Sequence, residues 1–168
     1  REDRSAQFRA YVQSRVDRIL SKLNNVDKDN PVVYCTLGHP LIAMFTDKME
    51  CRLIEIAGGQ LANHRIERER RPGITLSKEQ FCDLRPDIII VTGFAAWPES
   101  DFSAYCRENG LYVPALRTGR IHHIHPYRSS TNPDWILGLM CLANIIHPEI
   151  FAFDLEQESD SFNQKFRT

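Results

Sequence analysis

The stretch TLSKEQFCDLRPDIIIVTG, residues 75–93, decides the fold class of this chain. Ser77 and Gln80 stand three residues apart and match a capping box, which predicts a short helix over Lys78–Leu84. Pro86 then breaks the helix. The DIIIV run that follows is apolar throughout, which is typical of a parallel strand covered on both faces. A helix that leads directly into a buried strand indicates an α/β chain.

The segments on either side continue this alternation of helices and strands. Apolar residues recur every three or four positions between Phe8 and Leu23, which predicts an opening amphipathic helix. PVVYCTLG, residues 31–38, favours a buried strand, and a helix is expected over residues 41–57, ended by two glycines. The remaining predicted elements are a helix in ESDFSAYCRENG, strands in YVPAL and GRIHHIH, a long apolar helix in NPDWILGLMCLANIIH with Asn132 as its cap and Pro133 at its first position, and a closing amphipathic helix in PEIFAFDLEQESDSFNQKF. The expected fold class is therefore α/β, a three-layer sandwich lobe with a central, mostly parallel sheet.

The composition argues against several classes of function. With 168 residues the chain fits one domain or one lobe of a larger protein. The net charge of −1 does not suggest a nucleic-acid-binding surface, which is normally basic. GxSxG, P-loop, HExxH and GxGxxG motifs are absent from the sequence, so we expect no enzymatic activity and assign no catalytic residue.

The five cysteines follow no metal-binding spacing. They contain no CxxC pair, which argues against a structural zinc site, and their odd number argues against a disulfide framework. We expect most of them to be buried thiols. They are Cys35, Cys51, Cys82, Cys106 and Cys141.

Polar and aromatic side chains follow the predicted strands. Ligands of open parallel sheets bind outside the carboxyl ends of the strands, so these positions are candidates for a binding site. They are Cys35, Thr36 and His39 after the first strand, Thr92, Gly93, Phe94 and Trp97 after the second, Arg117 after the third, and His125, Tyr127 and Arg128 after the fourth.

The segment GRIHHIHPYRSS, residues 119–130, places three histidines close together in the chain. On a regular strand, side chains alternate between the two faces, so His123 and His125 share one face and His122 points to the other. The three rings cannot converge on one ion from such a strand. We therefore expect no metal site here, and His125 at the strand end is the residue of interest.

Four segments in this order resemble one protein family. LIEIAGGQLAN, ITLSKEQFCDLRPDIIIVTG, VPALRTGRIHHIHP and DWILGLMCLANIIHPEIFAFDLEQESDSFNQKF are similar to the carboxy-terminal lobe of substrate-binding proteins of ABC importers. The group is the TroA-like, helical-backbone class that takes up iron–siderophore complexes, haem and cobalamin. Each motif alone is weak, whereas their order and spacing over residues 4–166 are fairly specific.

The resemblance implies a division of the chain and a role for it. Residues 1–30 would form the inter-lobe backbone helix and linker, and residues 31–168 the C-terminal ligand-binding lobe, with the N-terminal lobe absent from this chain. The protein would be a monomeric, non-enzymatic binder without a permanent cofactor, which delivers a ferric siderophore or a related metal chelate to an ABC permease. It would be periplasmic or an extracytoplasmic lipoprotein, in contact with the membrane only through the permease or a lipid anchor outside this chain; a cytoplasmic location is the alternative.

The resemblance also implies roles for single residues. Glu79, in SKEQ, matches a permease-docking glutamate, although a first-turn Glu also stabilises its helix through the dipole. Trp97 and Phe94 would stack on a flat ligand, while Arg68 and Arg71, with Arg65 and Arg70, lie in a loop that borders the cleft and suit anionic groups. Ordinary loop roles are the alternative for all of these. Arg117 and His39 would contact ligand from strand ends. His125 and Tyr127 would line the pocket, or would ligate the iron directly if the ligand were ferric haem, whereas the iron of a siderophore is already wrapped and needs no protein ligand.

Two other functions are compatible with the sequence. The protein could belong to the molybdate- and tungstate-binding branch of the same group, which uses backbone N–H groups and Arg rather than aromatic walls. Alternatively, a cytoplasmic metal-cofactor-handling protein with a nitrogenase- or chelatase-like fold is favoured by five thiols, which are unusual in an exported protein.

Overall fold

The computed structural model describes residues 2–24, 29–66, 74–92, 97–124 and 134–166. The strands in these residues are β1 (Val32–Leu37), β2 (Ile42–Ala43), β3 (Gln60–Leu61), β4 (Ile74–Thr75), β5 (Ile88–Thr92) and β6 (Ile121–His123). The helices are α1 (Glu2–Leu23), α2 (Met49–Ile56), α3 (Lys78–Leu84), α4 (Glu99–Glu108), α5 (Pro114–Thr118), α6 (Trp135–Ile146) and α7 (Leu155–Phe166), with a 3₁₀ turn over Ala62–Arg65. Over the described ranges, no helix is both long and apolar enough to cross a membrane.

The described strands form one sheet in the order β4-β2-β1-β5-β6, with β3 also paired to β1. β1, β3, β5 and β6 are parallel, whereas β2 and β4 form an antiparallel edge. The longest register runs between β1 and β5, from Val33 opposite Ile88 to Leu37 opposite Thr92. The predicted central, mostly parallel sheet is confirmed.

Helices cover both faces of this sheet, as a continuously apolar strand requires. Ile88 and Ile90 of β5 belong to the core beneath α1, α2, α6 and α7. Ile89 and Val91 belong to the core beneath α3 and α4 on the opposite face. All five residues of β5 are buried, which confirms the strand predicted from DIIIV and gives the three-layer sandwich.

The side chain of Asn63 hydrogen-bonds to one edge of β1, at the point between the residues that pair with β3 and those that pair with β2. β3 pairs with Val32 and Val33 at the start of β1, and β2 pairs with Thr36 near its end. Between them, the Cys35 N–H donates to Asn63 Oδ1 at 2.9 Å, and Asn63 Nδ2 donates to the Cys35 carbonyl at 2.8 Å. A second bond from Nδ2 reaches the Met44 carbonyl at 2.9 Å. The Cys35 carbonyl also accepts from the Met44 N–H at 3.0 Å. The buried amide therefore bridges β1 and the residue after β2, and it gives the Cys35 N–H and the Met44 carbonyl hydrogen-bond partners in the core.

The capping box predicted at the start of α3 is confirmed. The Gln80 N–H donates to Ser77 Oγ at 3.1 Å, and the Ser77 N–H donates to Gln80 Oε1 at 2.8 Å. The box satisfies two N–H groups at the start of the helix, so the seven-residue helix begins where the sequence predicts.

The helix predicted over residues 41–57 is wrong in its first half. His39 accepts at its carbonyl from the Thr36 hydroxyl and from the Ile42 N–H, which closes a turn after β1. This turn sends Ile42 back along β1 as the antiparallel strand β2, and the helix starts only at Met49. A tertiary pairing therefore prevails over the apolar periodicity.

The strand predicted in YVPAL is also wrong. Leu111 begins an irregular segment, and Pro114 opens the short helix α5, which Gly119 ends in the left-handed conformation at φ 70°. Proline has no N–H to give to a strand ladder, whereas the first helical position needs none.

Asn132 is not the cap of α6. The N-cap of that helix is Asp134, directly before Trp135. Asn132 and Pro133 lie outside the described residues.

Aromatic packing and one ion pair attach α1 to α7. The ring of Phe8 lies 5.4 Å from that of Phe166, and Tyr11 lies 5.9 Å from Phe162. Glu158 accepts from the Tyr11 hydroxyl and from the Arg15 guanidinium, each at 2.9 Å. The opening helix is thus confirmed and packs on this lobe, while its role as an inter-lobe helix stays a prediction.

The Gly58-Gly59 pair brings three chain segments into close contact. Gly58 adopts φ +85°, and its carbonyl accepts from Nε2 of the buried His147 at 3.1 Å. A Cβ on Gly58 would lie 2.8 Å from His147 Nε2 and 2.9 Å from Leu23 Cδ2. A Cβ on Gly59 would lie 2.9 Å from Val33 Cγ2. Only glycine lets the ends of α1, α2 and α6 approach this closely.

Replacing Gly58 by Ala is expected to destabilise the fold more than replacing Gly119 by Ala. Both residues have positive φ, so each substitution carries the left-handed penalty of about 1–2 kcal/mol. Gly119 has nothing within 4 Å of an added Cβ, whereas Gly58 also meets Leu23 and His147. Urea unfolding of the two variants measures the difference, and equal losses would show that the close approach is not the constraint.

Candidate functional site

The carboxyl ends of β1 and β5 are locked together by two threonines. Thr92 Oγ1 donates to the Thr36 carbonyl at 3.0 Å, and the Thr36 hydroxyl donates to the His39 carbonyl. Both threonines are buried. They align the strand ends and hold the loop that carries His39, so they act on the site through the backbone.

Three aromatic side chains meet next to these strand ends, and we call them the aromatic trio: His39, Trp97 and Tyr105. The His39 ring lies 4.8 Å from the Trp97 ring and 4.7 Å from the Tyr105 ring. Trp97 and Tyr105 are 5.3 Å apart, and all three contacts are edge-to-face. Each side chain is half-buried, so the trio presents apolar ring surface and polar edges to a ligand outside the sheet.

The environment of His39 keeps its ring neutral and sets its tautomer. The Leu41 N–H donates to His39 Nδ1 at 3.1 Å, so the proton of a neutral ring lies on Nε2. Burial lowers the pKa of His39 below its ordinary value of 6.5. At neutral pH the ring therefore offers an N–H donor without a charge.

The histidines of β6 point to opposite faces, as the strand period predicts. His122 is paired with Ile90 and His123 with Val91, and these two β5 residues belong to different cores. Burial lowers the pKa of His122, and the nearby Glu99 opposes this shift. In the described ranges no group of three or more His, Cys, Asp or Glu is placed to hold a metal ion.

Arg117 does not lie with the aromatic trio. Its predicted position depended on a strand in YVPAL, but the residue belongs to α5, which leads into β6. The Ala115 N–H donates to the Pro86 carbonyl, just before β5. Arg117 therefore lies at the amino end of the sheet, opposite the predicted cleft. The prediction that it contacts ligand assumed that Arg117 follows a strand, and that assumption is wrong.

Several of the predicted ligand contacts fall outside the described residues. These are Phe94, His125, Tyr127, Arg68 and Arg71, together with Gly93, Arg70 and Arg128. Their roles stay predictions. Arg65 is described, and its Nη1 donates to the Leu84 carbonyl at 3.3 Å, at the end of α3.

Glu79 lies fully exposed in the first turn of α3. Its own backbone N–H and the Ser77 hydroxyl hold the pKa of its carboxyl below the ordinary value. The carboxylate therefore stays charged under mildly acidic conditions. An exposed charge on the start of a helix is compatible with the predicted docking role and does not test it.

Tyr105 is the member of the trio that the sequence analysis missed. It lies on α4, where Phe102 and Cys106 are buried in the core beneath that helix. The sequence did contain a signal for Tyr105. It lies three residues after Phe102 and directly before Cys106, so it borders the face of α4 that these two buried residues occupy. The rule that sites follow strands does not reach a residue in the middle of a helix.

The five thiols are distributed over separate elements and are largely withdrawn from solvent. Cys35, Cys51 and Cys106 are buried, and Cys82 and Cys141 are half-buried. A hydrogen bond with Cys51 and complete burial hold the pKa of Cys35 well above its ordinary value. Burial raises the pKa of Cys106 to about 12 and that of Cys141 to about 11. The expectation of buried thiols is confirmed, and these pKa values disfavour thiolate ligands.

No protein-family model and no curated protein matches the sequence. Solved structures do match, and they show that this chain has the fold of one lobe of a TroA-like periplasmic solute-binding protein.

Three of these structures illustrate the likeness. The TroA-like periplasmic binding protein FepB from Veillonella parvula superposes with a TM-score of 0.74 at 21% identity, over 98% of this chain and 53% of that one. Helicobacter pylori CeuE, solved with Ni(II) bound, gives a TM-score of 0.81 at 15% identity, with 98% and 53% covered. The vitamin B12 binding protein BtuF of Vibrio cholerae gives 0.60 at 11% identity, with 81% and 51% covered. The chain spans about half the length of these proteins.

The lowered pKa values of His39 and His122 predict how stability depends on pH. Between the folded-state pKa and 6.5, the unfolded chain binds more protons than the folded one. This part of the stability is fully present above pH 6.5 and is lost as the pH falls through that window. Tyr105→Ala should expose His39, raise its pKa towards 6.5 and reduce the pH dependence. NMR titration of the imidazole C–H resonances measures the pKa directly.

Tyr112→Ala is the matched control, because this tyrosine is 75% exposed and makes no ring contact with His39. It should leave the His39 titration unchanged. If both variants moved the His39 pKa equally, the trio would not be the source of the burial.

Proposed function

We propose that this chain is the C-terminal lobe of the substrate-binding component of an ABC importer. In this proposal the protein binds an iron–siderophore or similar metal chelate between two lobes and delivers it to the permease, without enzymatic activity. The observation that carries the proposal is the aromatic trio at the carboxyl ends of the parallel strands, in a fold of this class. Sheets of this type bind ligands at that edge.

The chemistry of the trio suits a large chelate better than a small ion. Trp97 and Tyr105 supply ring surface for a catecholate, corrin or porphyrin, and the neutral His39 supplies one N–H donor from Nε2. A chelate needs no protein ligand for its metal. Half-buried rings also leave room for a second wall, which the other lobe would provide.

The alternatives find less support in the described residues. A molybdate or tungstate site would need Arg near the strand ends, but Arg117 lies at the opposite end of the sheet. A cofactor-handling protein would need thiols that ionise at one metal centre, whereas the pKa values of Cys35, Cys106 and Cys141 are raised. The chelate-binding function is therefore our conclusion.

The proposal includes a location and an assembly. The full-length protein would act as a monomer outside the cytoplasm, in the periplasm or as a lipoprotein, and would dock on its permease through Glu79. Residues 1–30 would join the two lobes, and residues 31–168 would form one wall of the cleft.

Ligand titration of the full-length protein tests this function. Ferric catecholate and hydroxamate siderophores, cobalamin, haem and molybdate are titrated, and tryptophan fluorescence reports binding. A chelate should quench the fluorescence of the wild type and of Trp135→Phe, because Trp135 packs against the core on α6. Trp97→Phe should lose most of that quenching, and Trp97→Ala should weaken affinity about tenfold through loss of ring stacking.

Two outcomes would overturn the proposal. One is binding of molybdate with no response to any chelate, which would favour the oxyanion branch. The other is an equal loss of affinity in Trp135→Ala and Trp97→Ala, which would mean that the trio is not the contact surface.

The docking role of Glu79 is tested separately, with the permease in proteoliposomes. Glu79→Gln should leave ligand affinity unchanged and weaken stimulation of the ATPase at low salt by up to about fivefold, because an exposed charge pair is worth little and is screened. Glu108→Gln is the control, since Glu108 is also exposed but lies at the end of α4. If the two variants behaved alike, Glu79 would have no docking role.

A further inference from the structure

A cavity lies at the amino end of the sheet, and none of the trio lines it. It is a cavity of about 620 Å³ bounded by the ends of α3 and α4 and by α5. Arg85 follows α3 directly before β5 begins, Arg107 lies in the last turn of α4, and Arg117 lies on α5. We call this cavity the arginine groove.

The floor of the arginine groove is apolar and its rim is aromatic. Leu111 and Val113 line it and are buried, with 0% and 6% of their surface exposed. Between them in the chain, Tyr112 is 75% exposed, although large apolar side chains are mostly buried in the described part of this protein. An exposed tyrosine ring beside an apolar floor can stack on a planar ligand.

The charge of the arginine groove is unbalanced. The lining contains three exposed arginines, Arg85, Arg107 and Arg117, and one carboxylate, that of Asp83. Among the described residues, no carboxylate pairs with any of these three arginines. Unpaired guanidinium groups around one cavity favour ligands with carboxylate or phosphate oxygens, which Arg binds with two parallel hydrogen bonds.

Arg85 also adopts an unusual backbone conformation. It is the non-glycine residue with positive φ in the described ranges, at 44°, and it occupies the C-cap of α3. Glycine or asparagine is usual at such helix ends, because a side chain with a Cβ is strained there. The strained backbone therefore belongs to a residue that lines the groove.

We infer that the arginine groove is a binding site for an organic anion, with carboxylate or phosphate groups on a planar ring. The three guanidinium groups bind the anionic oxygens, and Tyr112 stacks on the ring above the apolar floor. The volume lies in the usual range of small-molecule sites, about 300–1,000 Å³. The inference does not depend on the chelate function, because no residue that lines the groove belongs to the trio.

The test is an NMR titration of the isotopically labelled 168-residue chain. The probes are phenyl phosphate and benzene-1,3-dicarboxylate, which distinguish the two anionic groups, and propane-1,2,3-tricarboxylate, which has no ring. At least one ring-bearing probe should shift the amide resonances of Arg85, Arg107, Tyr112 and Arg117 saturably. It should leave those of His39 and Trp97 unchanged.

Charge-reversal variants identify the contacts. Arg107→Glu and Arg117→Glu should each weaken binding about tenfold or more, because each replaces an attraction by a repulsion. Arg52→Glu is the control, since Arg52 is exposed on α2 outside the groove, and it should bind as the wild type does. Tyr112→Ala should remove the preference for the ring-bearing probes.

Three results would overturn the inference. The first is no saturable shift with either ring-bearing probe. The second is equal weakening by Arg52→Glu, which would indicate general charge attraction rather than a site. The third is equal binding of the ring-free tricarboxylate, which would reject recognition of the ring.

Discussion

The parallel pairing of β1 with β5 is the interaction on which the rest of this structure depends. The two strands match over five positions, and β5 is buried along its whole length. Because both faces of the pair are apolar, helices must cover each side, which produces the three layers. The same pairing brings two carboxyl ends together, and the bond from Thr92 to Thr36 keeps them aligned. His39 and Trp97 therefore follow strands that end at the same edge of the sheet.

Two small features, the Asn63 amide and the missing side chain of Gly58, hold the strands and helix ends together where strand pairing does not. Asn63 supplies the acceptor for the Cys35 N–H between β3 and β2, and the absence of a side chain at Gly58 lets three segments meet around His147. The two ends of the resulting sheet differ in chemistry. The carboxyl end presents neutral rings, and the amino end presents guanidinium groups around an apolar floor. Under our two proposals, one lobe would therefore bind different ligands at its two ends.

Sequence reasoning succeeded where a local physical rule acts alone. The capping box at Ser77 and the apolar run of β5 each depend on neighbours in the chain, and both were predicted correctly. It failed where a contact with a residue far away in the sequence decides whether a segment forms a strand or a helix. Ile42 becomes part of a strand because β1 and β4 lie beside β2, and the helix that Pro114 opens is held by the bond from the Ala115 N–H to the distant Pro86 carbonyl. The error at Pro114 misplaced Arg117, since a wrong element type reverses which end of the sheet a residue reaches.

The sequence by itself determined the α/β class, the order of most elements, the buried thiols and two members of the trio, His39 and Trp97. These follow from periodicity, turn residues and the rule that sites lie after strands. Only the tertiary structure decided that Tyr105 joins them, that His39 is neutral with its proton on Nε2, and that three arginines surround one groove. The physical reason is that proximity between residues of different elements depends on how strands pair and helices pack, and no local pattern in the chain records it.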